Sequence, residues 1–440
     1  MSKGAALAAL RAKVNSAYDG EVSQPATGRK NPDLRLSTTS IALDFALGVE
    51  PGGSGGIPVG QVSMFLGEKS SGKTTAALKV IGHAQRLCAR CYRPATNLTL
   101  EKLFDEDGAP VLNSSEEPMH YLSGKCDCHK VGLWRPKKPE MKTKKDEEAW
   151  AATQAALNEN SFEAVCVVYM DVEHALDLGW AKQNGVILEV LEHVVPGTAE
   201  RSIDLADEYV RSGIVDILVL DSIAAMVPQK EIETSAEEWQ QGLQARLVNK
   251  MVRKIIGSAS SVRTTHRKFV TQIWINQYRD KIGGGPFGGG KTTPGGKGQR
   301  FATSVEVEFF TSDAEEEIVS DFSAMGKDDQ VKHVVRRRVN FAVVKNKTAP
   351  AGIKGSFRMA TADVAEIKAG DILEQEYMFK LAVALGLVEK KGPTKYVFRG
   401  KEFVSQSAVN QLLVSNPSVW AATRVQVLDI LAGHKKPKEA

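Results

Sequence analysis

From about Leu36 onward, short apolar runs alternate with longer stretches in which apolar residues recur every three or four positions. The first pattern is that of buried strands, the second that of amphipathic helices. Runs at Gln61–Leu66, Val165–Met170, Ile217–Leu220, Phe269–Ile275, Ser304–Phe310 and Val339–Val344 predict strands. Ile217-Leu218-Val219-Leu220 has no polar position, which suits a strand covered on both faces. Strands separated by helices in this way predict an α/β fold with a mainly parallel central sheet.

The same patterning divides the chain. Residues 1–36 carry one helical stretch, Ala5 to Tyr18, then a polar segment with Pro25, Gly28 and Pro32, and read as an N-terminal arm. Residues 37–365 read as the α/β core. Within it, residues 88–150 show little periodicity, several prolines and a charged tract from Lys137 to Glu148. They read as an insertion, disordered in part toward its C-terminal side. A Gly-rich tract from Gly283 to Gly298 holds nine glycines in sixteen residues. In residues 366–440, a helical run Glu374–Leu387, a strand pair Tyr396–Phe398 and Glu402–Val404, and a helix Pro417–Leu431 predict a small α+β domain. It ends in a basic tail from His434 to Ala440.

Composition narrows the class without deciding it. At 440 residues, 42% of them hydrophobic and 25% charged, the chain reads as globular, with material for about two or three domains. No apolar run approaches the roughly 18 residues of a membrane span, and the N-terminus lacks the apolar stretch and cleavage site of a signal peptide. A cytoplasmic protein is expected, its five cysteines serving as thiols or metal ligands. The net charge of +4, from 57 basic and 53 acidic residues, does not mark a nucleic-acid binder by bulk charge. Any such contact has to come from local patches.

Gly67-Glu68-Lys69-Ser70-Ser71-Gly72-Lys73-Thr74 fits the spacing G-x-x-x-x-G-K-[ST], after a predicted strand and before a predicted helix over Ala76–Ile81. Glycines there let successive backbone N–H groups and a helix N-terminus face phosphate oxygens. Lys73 then neutralises the β- and γ-phosphates and the Thr74 hydroxyl ligates Mg²⁺. The alternative is a chance Gly/Ser/Lys turn. Asp221 ends the Ile217–Leu220 strand, where an acid can hold Mg²⁺ or its water, or cap a turn. Tyr169-Met170-Asp171-Val172-Glu173-His174 places a second strand end among acids. Glu173 is the candidate for polarising an attacking water, since Asp171 belongs to the strand tip; helix capping is the alternative. Cys88-x-x-Cys91 and Cys126-x-Cys128, with His129 adjacent, resemble a structural Zn²⁺ site, although the second pair is spaced more closely than usual. Ordinary helix-end cysteines are the alternative for the first pair. Cys166 reads as buried strand core.

In order along the chain, GEKSSGKTT, MDVEHALD, RSGIVDILVLDSIAAMVPQKEIE, WINQYRDKIG and VVKNKTAP form a series. The series resembles the motifs of the RecA family of homologous-recombination proteins, from about Leu36 to Leu431 with the insertion left out. The resemblance implies a RecA-like phosphate-loop ATPase core with ATP and Mg²⁺ as cofactors. It implies a recombinase that forms helical filaments on single-stranded DNA and pairs it with double-stranded DNA for strand exchange. Gly67 to Thr74, with Thr75, would hold ATP; Thr74 and Asp221 would hold Mg²⁺; Glu173 would activate the hydrolytic water. Asp177 and Trp180 would meet adenine, tryptophan standing where the family has tyrosine. Asn276 and Gln277 would sense the γ-phosphate and signal to a DNA loop. Lys345 and Lys347 would reach the neighbour's ATP across a filament interface, where Phe301 would also lie. By periodicity alone these lysines are solvated strand-end residues.

Two loops are then the candidate DNA contacts. The first, Glu231 to Gly242, leads into a helix with Arg246, Lys250, Arg253 and Lys254; its Glu237 and Glu238 depart from what a phosphate contact needs. The second, Tyr278 to Arg300, sets Arg279, Lys281, Lys291, Lys297 and Arg300 among glycines. That freedom lets basic side chains follow phosphates without reading sequence. A linker is the poorer reading for a tract between two core strands. The basic tail stands where well-known bacterial members are acidic, and marks a divergent member. Two other functions share parts of the pattern: a ring-shaped DNA motor or helicase on a related core, and an ATP-binding accessory module of a recombination complex.

Overall fold

A computed structural model describes residues 34–104, 109–112, 116–126, 162–235, 242–265, 268–280, 291–296, 298–318, 332–364 and 367–435, with isolated positions between 8 and 16. Most of the predicted arm helix, the insertion from 127 on and the last tail residues lie outside the described residues.

The central sheet has eight strands: β1 (Val62–Gly67), β2 (Val167–Asp171), β3 (Leu191–Val194), β4 (Ile217–Asp221), β5 (Thr271–Gln277), β6 (Val305–Ile318), β7 (Lys332–Asn346) and β8 (Lys354–Ala360). Their spatial order is β8-β7-β6-β1-β5-β4-β2-β3. From β6 to β3 all neighbours run parallel, while β7 and β8 extend the other edge antiparallel. The helices are α1 (Ile41–Leu47), α2 (Lys73–Ala84), α3 (Leu178–Gln183), α4 (Ala199–Arg211), α5 (Gln229–Glu233), α6 (Leu243–Thr265), α7 (Gly298–Ala302), α8 (Gln375–Ala384), α9 (Gln406–Ser415) and α10 (Pro417–Leu431). Among the described residues no helix is long and apolar enough to cross a membrane.

The continuous apolar runs have a physical cause. Successive strand residues face opposite ways, and both faces are covered. Ile217 and Val219 of β4 pack with Ala77, Leu78 and Ile81 of α2. Leu218 and Leu220 pack with Ile203 and Ala206 of α4 and Met251 and Ile255 of α6. The sheet is thus the middle of three layers.

The structure departs from the sequence reading in several places, beginning with β3 and β8, which lie outside the runs that predict strands. β6 and β7 run well beyond Ser304–Phe310 and Val339–Val344 as one long antiparallel ribbon, in which Glu315 lies opposite Arg336 and Glu317 opposite His333. Charged residues fill much of this stretch of sequence, so periodicity is silent and the backbone ladder carries the pairing. The insertion also begins with structure: Thr96–Lys102 pairs antiparallel with His120–Lys125. No residue of the first of these strands is buried, which removes the alternation that reveals a strand. The insertion closes at its base, where Cys88 pairs with Ala164 and the Ala89 N–H donates to Glu163 O at 2.7 Å. Cys166 precedes β2 and is half-buried rather than core.

The C-terminal unit packs α8, α9 and α10 around a meander of Val388–Lys390, Tyr396–Phe398 and Lys401–Phe403. The sequence reading omitted α9 and the first of these strands. Asn416 ends α9 and caps α10, its side chain accepting from the Val419 N–H at 3.4 Å, with Pro417 in the first turn. A buried polar latch joins this unit to the core. Asp44 of α1, fully buried, accepts from Ser37 Oγ at 2.6 Å and from Thr38 N and Oγ1, each at 2.7 Å, and pairs with Arg424 of α10. Beside it, Glu374 accepts the Ile41 N–H, and burial pushes its carboxyl up to about 7.

The raised pKa means that the folded chain holds a proton on Glu374 at pH values where the unfolded chain has released it. Its contribution to stability is therefore fullest below the ordinary carboxylate range and is lost as pH rises through 7. Glu374→Gln keeps the acceptor for Ile41 and is expected to flatten the decline in urea-unfolding stability between about pH 5 and 8. An unchanged pH profile would show that another group governs it.

Candidate functional site

β1 ends at Gly67 and the chain turns through residues 68–72 into α2. A Cβ on Gly67, at φ +153°, would lie 2.3 Å from Phe309 O and 2.5 Å from Ser71 Oγ, so only glycine fits. No side chain caps α2 at Gly72, which leaves the first-turn amides facing outward for an anion. Glu68, Lys69 and Ser70 are exposed around this turn. The buried Lys73 donates from Nζ to Glu68 O at 2.5 Å and reaches Ser71 Oγ at 3.4 Å. Burial holds its pKa below the usual lysine value, against the opposing pull of Asp221, Glu173 and Glu68.

The ends of β2, β4 and β5 converge beside this loop. Thr74 Oγ1 donates to Asp221 Oδ2 at 2.7 Å and Tyr169 OH donates to the same oxygen at 2.6 Å. The other oxygen, Oδ1, is buried with no hydrogen-bond partner. Burial pushes the Asp221 carboxyl up to about 6. An orphaned carboxylate oxygen beside a threonine hydroxyl fits a hard cation such as Mg²⁺. Glu173 Oε1 accepts from Ser222 Oγ at 2.9 Å and from Gln277 Nε2. Asp171, by contrast, accepts the N–H groups of Ala175 at 3.1 Å and Leu176 at 3.0 Å, which occupies it with the local turn. Asp177 caps α3, accepting from the Trp180 N–H at 2.9 Å, and Trp180 Nε1 donates to Thr75 Oγ1 at 3.1 Å. That bond fixes the indole against the phosphate-loop helix. Tyr169 and Ser222 escaped the sequence reading: the first looks like core, while the second, adjoining Asp221, could have been flagged by position.

A family model described as the RecA N-terminal domain matches residues 13–101 and 149–365. The chain belongs to the RecA family. Among its relatives are Protein RecA of Citrifermentans bemidjiense, 30% identical over 401 residues (90% of this chain, 86% of that protein), and Protein RecA of Oleidesulfovibrio alaskensis, 30% identical over 407 residues (92% and 85%). Protein RecA of Chlorobium chlorochromatii is 29% identical over 401 residues, covering 91% and 82%.

The two loops expected to meet DNA in a RecA-type protein both adjoin α6. The first leads straight into it; residues 236–241 lie outside the described residues. The second leaves β5 as a short ribbon, with Arg279 opposite Thr292 and Asp280 opposite Lys291. Residues 281–290 and Lys297 lie outside the described residues, and so do the side chains of Arg279 and Lys291. The tract returns against α6 so closely that a Cβ on Gly298 would fall 1.8 Å from Asn249 Oδ1. Arg246 and Arg253 are exposed on α6, whereas Lys254 pairs with Asp204 at 2.5 Å. Arg300 Nη2 lies 3.2 Å from Glu306 Oε2, a partner that draws it back to the core.

A chain of contacts joins this tract to the acids. Next to Gln277, the buried Asn276 donates from Nδ2 to Pro294 O at 3.1 Å and to Gln299 Oε1 at 3.0 Å. Lys345 Nζ donates to Arg300 O and to Thr303 Oγ1 at 3.2 Å, and Lys347 Nζ to Phe301 O at 3.2 Å. Both lysines thus sit beside α7, where Phe301 is 79% exposed. Far from these, the sulfurs of Cys88, Cys91 and Cys126 lie within 4.8 Å of one another, all buried, with 3.7 Å between Cys91 and Cys126. A hydrogen bond from Cys91 helps hold the Cys88 thiol down to about 5. Cys128 and His129 lie outside the described residues.

Above pH 6 an ionised Asp221 is a buried charge that nothing in the protein fully compensates. Asp221→Asn is therefore expected to raise the Tm of the nucleotide-free protein at pH 8 by roughly 1 °C, the shift that about 1 kcal/mol gives a chain of 440 residues. It should also shrink the further rise that Mg²⁺ and ATP produce. Thermal melts with and without ligand check both; a lower Tm without ligand would make Asp221 a structural residue.

Proposed function

We propose that this RecA-family recombinase binds ATP and Mg²⁺ between its strand ends, assembles as a helical filament on single-stranded DNA, and hydrolyses ATP in a DNA-dependent way. The observation that carries this reading is the path Glu173–Gln277–Asn276–Pro294. It joins Glu173, which unlike Asp171 is free of local turn bonds, to the root of the Gly-rich tract. A nucleotide with a γ-phosphate would supply the group whose presence this path reads. The chain's own residues then have distinct tasks. Lys73 and the first-turn amides of α2 bind phosphate oxygens, and Thr74 and Asp221 hold Mg²⁺. Glu173, aimed by Ser222 and Gln277, orients a water and takes its proton. A change at Gln277 moves Asn276 and so the tract that carries Arg279, Lys281, Lys291 and Lys297 toward DNA. Arg246 and Arg253 add backbone contacts from the exposed side of α6.

Lys345, Lys347 and Phe301 share one surface, which supports an interface between neighbouring copies. From there the lysines would stabilise charge on the neighbour's phosphoryl group, so turnover would require assembly. The three convergent thiols support a structural Zn²⁺ site at the base of the insertion, with Cys128 or His129 as the fourth ligand. Such a metal would tie the ribbon to the end of α2, where the insertion leaves the core.

ATP turnover measured with and without single-stranded DNA tests the main reading. DNA is expected to stimulate it at least about tenfold, with Lys73→Ala inactive and Glu173→Gln slowed about 10²-fold or more while still binding DNA. Turnover indifferent to DNA, or closed hexameric rings in electron micrographs, would sink the filament reading. For the metal, elemental analysis should find one zinc per chain, lost in Cys91→Ser together with resistance of the ribbon to protease. A zinc-free protein with a protease-resistant ribbon would remove the site.

A further inference from the structure

Between residues 336 and 343, β7 keeps strict alternation, so Arg337, Val339, Phe341 and Val343 lie on one face. Val339, Phe341 and Val343 are buried in the same apolar cluster as Ala76, Ala77 and Leu78 of α2. Arg337 continues that inward stripe with a cation where an apolar residue belongs. Its place relative to the phosphate loop is set by its neighbour: a Cβ on Gly72 would lie 3.2 Å from Val339 Cγ1. One step along the strand, opposite Met359 of β8, Arg337 enters a cleft of about 270 Å³ whose walls include Gly72 to Thr75, Trp180 and Thr361. Arg337 is partly buried, and no hydrogen bond or ion pair engages it among the described side chains, which do not include those of Asp313 and Glu315 on the neighbouring strand.

A guanidinium lining the same cleft as the phosphate-loop residues stands where an anion bound there would meet it. Its fork of donors matches phosphate oxygens better than any other anion near this loop. We propose that Arg337 is a nucleotide-binding residue that meets the phosphate chain in cis. It acts from the sheet side of the cleft, opposite the indole of Trp180, and is separate from Lys345 and Lys347, which lie beside α7. The inference rests on the phosphate-loop reading. It adds a contact that the loop motif does not contain, from a strand about 260 residues further along the chain.

The test is equilibrium binding of ATPγS, ADP and adenosine to the full chain, to Arg337→Ala and to Arg337→Lys, with circular dichroism to verify that each variant folds. Arg337→Ala is expected to weaken ATPγS and ADP about tenfold, the size of a lost charge-assisted hydrogen bond, and to leave adenosine unchanged. Arg337→Lys should recover part of the loss. Unchanged affinity for both nucleotides in Arg337→Ala overturns the proposal. An equal loss for ATPγS, ADP and adenosine also overturns it, because it puts the guanidinium on the base or ribose. If Arg337→Ala does not fold, the comparison is made on Arg337→Lys and Arg337→Gln, and equal affinity in those two overturns the proposal. Failure of the unsubstituted chain to bind either nucleotide is a different result and removes the phosphate-loop reading itself.

Discussion

Parallel hydrogen bonding sets Gly67 of β1 level with Gln277 of β5, and Asp221 of β4 level with Asp171 of β2. In a parallel sheet with this order, every one of these residues stands at the carboxyl end of its strand. A slip of one residue in any pair would turn its tip to the opposite face and separate the donors from the acids. The three-layer burial of alternate residues prevents that slip. Ile217 and Val219 belong to one core and Leu218 and Leu220 to the other, so the sheet's apolar packing holds the polar site in register.

The molecule treats buried charge in two ways. At the latch between core and C-terminal unit, Asp44 has acceptor bonds from Ser37 and Thr38 and a cation in Arg424. Such a group is internally complete and holds two units in one arrangement. At the strand ends, Asp221 keeps one buried oxygen without a partner, and from the middle of β7 Arg337 lines the adjoining cleft. Incomplete polar groups of this kind destabilise the free protein and gain from a ligand that completes them. The contrast separates a polar group completed within the fold from one that is left open at the strand ends.

Asn276 and Gln277 link these regimes. They are consecutive on β5 and therefore point to opposite faces, one toward Glu173, the other toward Pro294 and Gln299. Their hydrogen bonds connect the acid side of the strand end to the root of the Gly-rich tract. The same tract closes beside Asn249 onto α6, the helix into which the first candidate DNA loop leads.

Much of this was legible from residue order. Local chemistry is contiguous in the phosphate loop, where glycine, lysine and threonine must follow one another at a strand-to-helix turn. Burial on two faces forces the apolar runs of β1, β4 and β5. Where burial ends, the signal ends: the polar ribbon of β6 and β7 and the exposed strands at Thr96 and His120 have backbone pairing but no periodic pattern. The sequence by itself determined the fold class, the phosphate loop and the acids at the strand ends. Only the tertiary structure decided that Tyr169 and Thr74 share one oxygen of Asp221 and that Arg337 enters the phosphate-loop cleft, while the sequence spacing had already grouped Cys126 with Cys88 and Cys91. Each of those meetings joins residues far apart in the chain, and strand register and layer packing, not local spacing, fix which distant side chains meet.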